Sequence, residues 1–282
     1  MPMSEQGGRL PVEIDTTVAH EARVYDYWLG GKDNFAADRA LGDAIAEHIP
    51  TIKTMARANR AFVGRAVRYL VQECGIRQFL DIGTGIPTSG NVHEVAQSAE
   101  PSSRVVYVDN DPIVLAHARA LMTSTDEGAT RFIFADLHDP DSILSDPALT
   151  ETLDLTQPTA VMLVAVLMYF RENSEVEQVL GKLMDAVPSG SYLTITHPTA
   201  DFDPEAVAGV VAAAEQSGIP FQPRDQDEVA ALFEGMDLVE PGVAPVLAWR
   251  PDPEPAGITK LHPEHEVDPR SAYYWAAMAR KR

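Results

Sequence analysis

Leu80-Asp81-Ile82-Gly83-Thr84-Gly85-Ile86-Pro87 decides the reading of this chain. A short apolar run ends in an acid and passes straight into two closely spaced glycines. Glycine tolerates positive φ and lets a ligand approach the backbone. A helix after such a turn presents free N–H groups. The run Gln78–Ile82 predicts a strand, and Asn91–Ala99 predicts the helix that follows the turn. Downstream, short apolar runs alternate with helical stretches. Arg104–Val108, Arg131–Ala135, Ala160–Leu167 and Ser191–Thr196 read as further strands. Asp111-Pro112 opens a helix with Pro at the tolerated first position. Ser174-Glu175-Val176-Glu177 has the form of a capping box for a helix through Val187. Such alternation predicts an α/β fold, a mostly parallel sheet with helices on both faces.

Working outward, residues 1–15 read as a flexible leader without an apolar signal segment. Residues 16–75 read as an N-terminal helical cover, and 76–282 as the α/β domain, a single globular unit. The clearest cover helix is Thr51–Glu73. Met55, Phe62, Ala66 and Leu70 fall on one stripe, with Val63, Val67 and Val71 beside it, and Gly75 ends it. In the tail, Asp203-Pro204 and Asp225–Glu234 predict helices. Met236–Glu240 and Ser271–Met278 predict two last strands, placed to pair antiparallel at a sheet edge. The Pro-rich span from Pro241 to Pro269 between them is long enough to suggest a functional or mobile loop.

The chain has 282 residues, with 22 basic against 42 acidic side chains and a formal charge of −20. That field repels phosphate backbones and argues against nucleic acid as a partner. The longest strongly apolar run, Ala160 to Phe170, falls short of the roughly 20 residues a membrane span requires. It reads as a strand buried on both faces. Cys74 is the only cysteine, so no intrachain disulfide forms, which fits a cytoplasmic protein.

In an open α/β sheet, ligands bind beyond the carboxyl ends of the strands. The second strand ends Val108-Asp109-Asn110, where a carboxylate accepts hydrogen bonds from ribose hydroxyls. The third ends Ala135-Asp136-Leu137, beside the expected place of an adenine. The turn lacks the third glycine of a dinucleotide fingerprint, having Thr88 there after Pro87. Asp81 suits a cofactor carrying an amino group and a sulfonium better than a pyrophosphate. These residues favour S-adenosylmethionine over NAD. Asp81, Asp109 and Asp136 would each pass singly for strand-end caps; three at successive strand ends point to a site.

From Ala22 onward the chain resembles an actinobacterial S-adenosyl methyltransferase family, long described as a domain of unknown function. The resemblance rests on Ala22-Arg23-Val24-Tyr25-Asp26-Tyr27-Trp28-Leu29-Gly30-Gly31-Lys32-Asp33-Asn34-Phe35, on Asp81 to Thr88, and on Asn91-Val92-His93-Glu94-Val95-Ala96. Val106 to Pro112, Asp136-Leu137 and Leu238-Val239-Glu240-Pro241-Gly242 also match. It implies a Rossmann-like class I methyltransferase: a mostly parallel seven-stranded sheet with an antiparallel last strand, under an N-terminal helical cover. By position, Gly83 and Gly85 would line the methionine part of the cofactor. Asp109, with Asn110 beside it, would hold the ribose, and Asp136 with Leu137 the adenine. Thr84 lies within the same turn. Family members often read Leu-His after the fourth strand, where this chain has Leu167-Met168-Tyr169-Phe170. Tyr169 would be a poor substitute base, with an ordinary pKa near 10.

Aromatic faces attract a sulfonium as they do other cations, which makes Tyr25 a ligand candidate, with Asn34 as a polar contact. Trp28 is expected to dock its helix on the core. A methyltransferase mainly aligns the acceptor and excludes water, and needs a base only for a poor nucleophile. His197, in Thr196-His197-Pro198, is the best-placed candidate base, although the reading as a plain polar loop residue is the favoured one. His93 would touch the cofactor or the helix cap. His262 and His265, with Glu264 and Glu266, have weak metal-ligand spacing, so no metal is expected. The expected function is transfer of a methyl group from S-adenosylmethionine to a small-molecule acceptor. The alternatives are a non-catalytic protein that binds S-adenosylmethionine or S-adenosylhomocysteine, and an NAD(P)-dependent oxidoreductase.

Overall fold

Three helices precede the first strand: α1 (Glu21–Leu29), α2 (Ala36–His48) and α3 (Ile52–Gln72). The structure, a computed structural model, describes residues 15–121, 124–252 and 268–282. Nearly all of the expected leader, and His262, Glu264, His265 and Glu266, lie outside the described residues. The stripe foreseen on α3 is buried from Met55 to Val71, and its apolar side packs on Phe79 and Val105 of the sheet. Burial of such a stripe is what holds an amphipathic helix in place.

The strands and helices then follow as β1 (Gln78–Ile82), α4 (Val92–Ala99), β2 (Arg104–Asp109), α5 (Pro112–Leu121) and β3 (Ala129–Phe134). Two short helices, α6 (Pro140–Leu144) and α7 (Pro147–Thr152), lead to β4 (Ala160–Val164), α8 (Asn173–Asp185) and β5 (Tyr192–Pro198). The chain continues with α9 (Pro204–Gln216), α10 (Gln226–Ala231), β6 (Asp237–Leu238), β7 (Ala244–Pro245) and β8 (Tyr274–Arg280). The sheet order is β3-β2-β1-β4-β5-β8-β6, with β7 pairing on β8. The first five strands are parallel, and β8 runs antiparallel between β5 and β6. The mostly parallel sheet with antiparallel C-terminal pairing matches the expectation, but the sheet has eight strands and not seven, because the two short strands β6 and β7 both pair on β8. Strand order reverses between β1 and β4, so the ends of β1, β2 and β4 open onto one crevice.

Alternation along the strands builds two cores. Phe79, Val105 and Met162 face α3, α4 and α9. Leu80, Val106 and Val161 face Ile143, Leu149 and Val176 on the other side.

Several boundaries differ from the sequence reading. Strand β4 stops at Val164, because Ala165 takes a left-handed φ of 55° and Leu167–Tyr169 winds into a 3₁₀ turn. The rest of that apolar run crosses the strand ends instead of extending the strand. Helix α8 is capped by Glu172 with Glu175, not by Ser174. Strand β5 runs on to Pro198, since β8 pairs His197 with Trp275 and Pro198 with Tyr274. The predicted strand Met236–Glu240 shrinks to Asp237–Leu238, and β8 begins only after a 3₁₀ turn at Pro269–Ala272.

Candidate functional site

The turn after β1 places Gly83 at φ 74° and Gly85 at φ 68°, the left-handed region that favours glycine. A Cβ on Gly83 would meet the Val166 side chain at 2.6 Å, so this glycine is fixed by packing. A Cβ on Gly85 would meet nothing within 4 Å. Gly85 faces open space, as a backbone that receives a ligand must.

That space is a cavity of about 330 Å³, within the range of small-molecule sites, roughly 300–1,000 Å³. Asp81, Gly83, Thr84, Gly85, Asp109, Asn110, Asp136, Leu137, Tyr25 and Tyr169 all line it. The three strand-end carboxylates therefore share one rim.

The three acids differ in electrostatics. Asp81 accepts a 2.8 Å hydrogen bond from the Thr84 hydroxyl. Burial pushes its pKa up to about 6, against the opposing pull of Thr84 and Arg60. Asp109 accepts the Gly85 N–H at 2.8 Å through Oδ2 and the Asp111 N–H at 3.0 Å through Oδ1. Burial raises its pKa to about 6 as well. A carboxylate offers about four acceptor positions, so Asp109 keeps lone pairs for two hydroxyl donors. Asp136 is about half exposed. Partial burial pushes its carboxyl up, but hydrogen bonds from the His138 backbone and ring and from Asn110 prevail and hold it below the usual carboxylate range.

Two predicted residues lie elsewhere. Asn34 does not line the cavity: its amide donates to Asp26 at 2.8 Å and to the Gly31 carbonyl at 3.2 Å. The buried Asp26 also accepts the Asp33 N–H, so this part of the motif is a turn closed on itself. His197 is fully buried inside β5 and is not among the residues that line the cavity. Its Nδ1 lies 2.9 Å from the Pro198 carbonyl and its Nε2 lies 2.9 Å from an Arg224 Nη1. The guanidinium can only donate, so Nε2 accepts and Nδ1 carries the proton. Burial, with the Arg224 charge adding to it, lowers the His197 pKa to about 3. This imidazole is a neutral structural group and cannot serve as the base.

Tyr169 does line the cavity, but burial and the nearby Glu21 charge push its phenol well above 10. A phenol held protonated in this way can donate a hydrogen bond and is poorly suited to accept a proton. Tyr25 lines the cavity while its hydroxyl donates to the Ala56 carbonyl at 2.9 Å and accepts from Asn59 at 3.1 Å. His93 is turned into the core, against the Tyr107 hydroxyl at 2.8 Å. Trp28 docks its helix, donating to the Gly42 carbonyl.

Sequence reasoning missed Glu21, Arg60, Ala165 and His138, which also line the cavity. Arg60 donates to Asn91 at 2.6 Å, and its Nε is buried without a partner among the described residues. His138 stacks on Phe170, with ring centroids 4.1 Å apart. Ala165 carries the left-handed backbone noted above, and strain of this kind collects at functional sites. Arg23 secures the cover to the site, its Nε lying 3.6 Å from Asp38 and 3.5 Å from Asp111, just beyond β2. No group of metal-ligating side chains occurs among the described residues.

The profile of a family described as S-adenosyl methyltransferase matches residues 8–282. The crystal structure of a DUF574 family protein from Streptomyces avermitilis is 44% identical, with a TM-score of 0.89, over 96% of this chain and 100% of that one. A candidate methyltransferase from Thermobifida fusca is 41% identical, with a TM-score of 0.83, over 95% of this chain and 96% of that one. No curated protein matches. The oxidoreductase alternative falls with these matches, and the chain belongs to the S-adenosyl methyltransferase family, with S-adenosylmethionine as its methyl donor.

Proposed function

We propose that the chain methylates a small organic acceptor in the cytoplasm, holding S-adenosylmethionine in the 330 Å³ cavity along the Asp81, Asp109 and Asp136 rim. The observation that carries this reading is the convergence of those three carboxylates on one cavity beside the open backbone of Gly85.

The residues present suit the cofactor's chemistry. Asp109 and the adjoining Asn110 would take the ribose hydroxyls, and Asp136 with Leu137 the adenine. Asp81 would face the amino group and Arg60 the carboxylate of the methionine end. Ionised in the complex, buried Asp81 would gain a cationic partner, and the partnerless Arg60 Nε an acceptor. Tyr25 and Tyr169 would present aromatic faces near the sulfonium. S-adenosylmethionine supplies a methyl carbon already activated by the adjacent sulfur. The protein's share of the work is then to orient the acceptor and exclude water under the helical cover.

The charge of −20 disfavours a nucleic acid as acceptor and supports the small-molecule reading over it. No described helix is long and apolar enough to cross a membrane. The test is to supply methyl-labelled S-adenosylmethionine with separated low-mass and macromolecular fractions of a cell extract. Label entering the low-mass fraction supports the proposal; label entering only protein or nucleic acid refutes it.

A further inference from the structure

A second cavity, of about 50 Å³, lies between the cover and α9. Glu21, Tyr25 and Tyr169 line both this chamber and the cofactor cavity, so the two spaces adjoin at those residues. The chamber walls are apolar, with Val24, Leu41, Ile45 and Ile52 on the cover side and Val210 and Ile219 opposite. We propose that this chamber binds the aliphatic body of an uncharged acceptor, while Glu21 at its mouth accepts a hydrogen bond from the acceptor's O–H or N–H group. The proposal rests on the methyltransferase reading and names the acceptor class for it.

Three observations set that class. The aliphatic walls formed by Val24, Leu41, Ile45, Ile52, Val210 and Ile219 hold no partner for a charge, whose desolvation against them would be costly. Glu21 is the only ionisable carboxylate among the lining residues, and it stands where the two cavities meet. An anionic acceptor would be repelled there, whereas a neutral hydroxyl or amide N–H finds an acceptor. Size decides between chain and ring. A cavity of about 150 Å³ holds a benzene ring, so a chamber of about 50 Å³ takes a short aliphatic arm and not a whole ring. Tyr169 and Tyr274 also line the chamber. Burial keeps both phenols protonated, leaving them as donors for the acceptor's polar end.

The test titrates the full chain with straight-chain alcohols from ethanol to hexanol, following the methyl NMR signals of Ile45 and Ile52, with and without S-adenosylhomocysteine. Affinity is expected to rise about fourfold per added methylene and then level off once the chamber is full. Benzyl alcohol should bind more weakly than butanol. Butanol should bind more tightly than methyl propyl ether, and Glu21→Leu should erase that difference. Val210→Phe, or Ala214→Leu if the first variant melts early, should abolish alcohol binding while S-adenosylhomocysteine still titrates. Alcohol binding that ignores chain length, or that survives both filling substitutions, overturns the proposal. Failure of S-adenosylhomocysteine to bind would strike the cofactor reading separately, since alcohol titration without it still judges the chamber.

Discussion

Asp109, the last residue of β2, accepts the backbone N–H of Gly85 at 2.8 Å and so ties the second strand end to the turn after the first. The same carboxylate has acceptor positions left for a ribose. Asp109→Ala should therefore act twice. Cofactor affinity should fall by more than tenfold, as buried ribose hydroxyls lose their acceptor. At pH 4.5, where the carboxyl is protonated and its burial carries no charge penalty, folding stability should fall by about 1–3 kcal/mol, as the Gly85 and Asp111 N–H groups lose their acceptor. Calorimetry with S-adenosylhomocysteine and chemical denaturation measure the two effects.

The two glycines of the turn should separate stability from binding. Gly83→Ala forces a Cβ to 2.6 Å from Val166 at a left-handed φ, so overpacking adds to backbone strain and the cost should reach about 2–4 kcal/mol. Gly85→Ala carries the backbone strain alone, about 1–2 kcal/mol, but its methyl group projects into open space. Gly85→Ala should be the more stable variant and yet bind the cofactor poorly. Melting curves and titrations of both variants check the ordering.

Asp81 and Asp109 make the cofactor-free protein sensitive to pH. Burial lifts both from 3.8 to about 6. Between those values the folded state binds more protons than the unfolded state. Their contribution to stability is therefore greatest below the unfolded pKa and is lost as pH rises to about 6, by roughly 2–3 kcal/mol for each acid. Asp81→Asn should flatten its share of that slope in denaturation curves at pH 4.5 and 7. Cofactor binding has the opposite trend, because the ionised acids are the form that pairs with its donors. Affinity for S-adenosylmethionine should tighten as pH rises through 6.

His197→Phe tests the structural role assigned to that imidazole. Arg224 also donates to Asn173 and to the Leu167 and Phe170 carbonyls, so it would remain buried but lose one acceptor. A loss of about 2–4 kcal/mol is expected. The pH profile of cofactor binding between 6 and 8 should keep its shape, since His197 is neutral throughout that range. A missing inflection near neutrality in the variant would contradict the assignment.

Much of the candidate site, as the cavity lining, was legible because its signals are local. Asp81, Gly83 and Gly85 sit in one turn, and Asp109 and Asp136 each end a strand whose apolar run is plain in the sequence. The misreadings come from partners distant along the chain. His197 looked like a loop residue because nothing near it announces that β8 will pair with Pro198 and extend the strand. Nor does its surrounding sequence reveal Arg224, which arrives from the segment before α10. Asn34 was misplaced because Asp26 captures it across the Gly30-Gly31 turn. Glu21 and Arg60 reach the site only through the docking of α1 and α3, which periodicity shows to be amphipathic without showing which polar edge meets the crevice. The 3₁₀ turn at Leu167–Tyr169 was hidden inside a run apolar enough to pass for strand.

A crystal structure with S-adenosylhomocysteine tests the central claim most directly. The account predicts ribose hydroxyls within hydrogen-bond distance of Asp109, adenine beside Asp136 and Leu137, and sulfur directed toward Tyr25 and Tyr169. Density for the nucleoside outside this cavity, or a ribose that leaves Asp109 untouched, would contradict it.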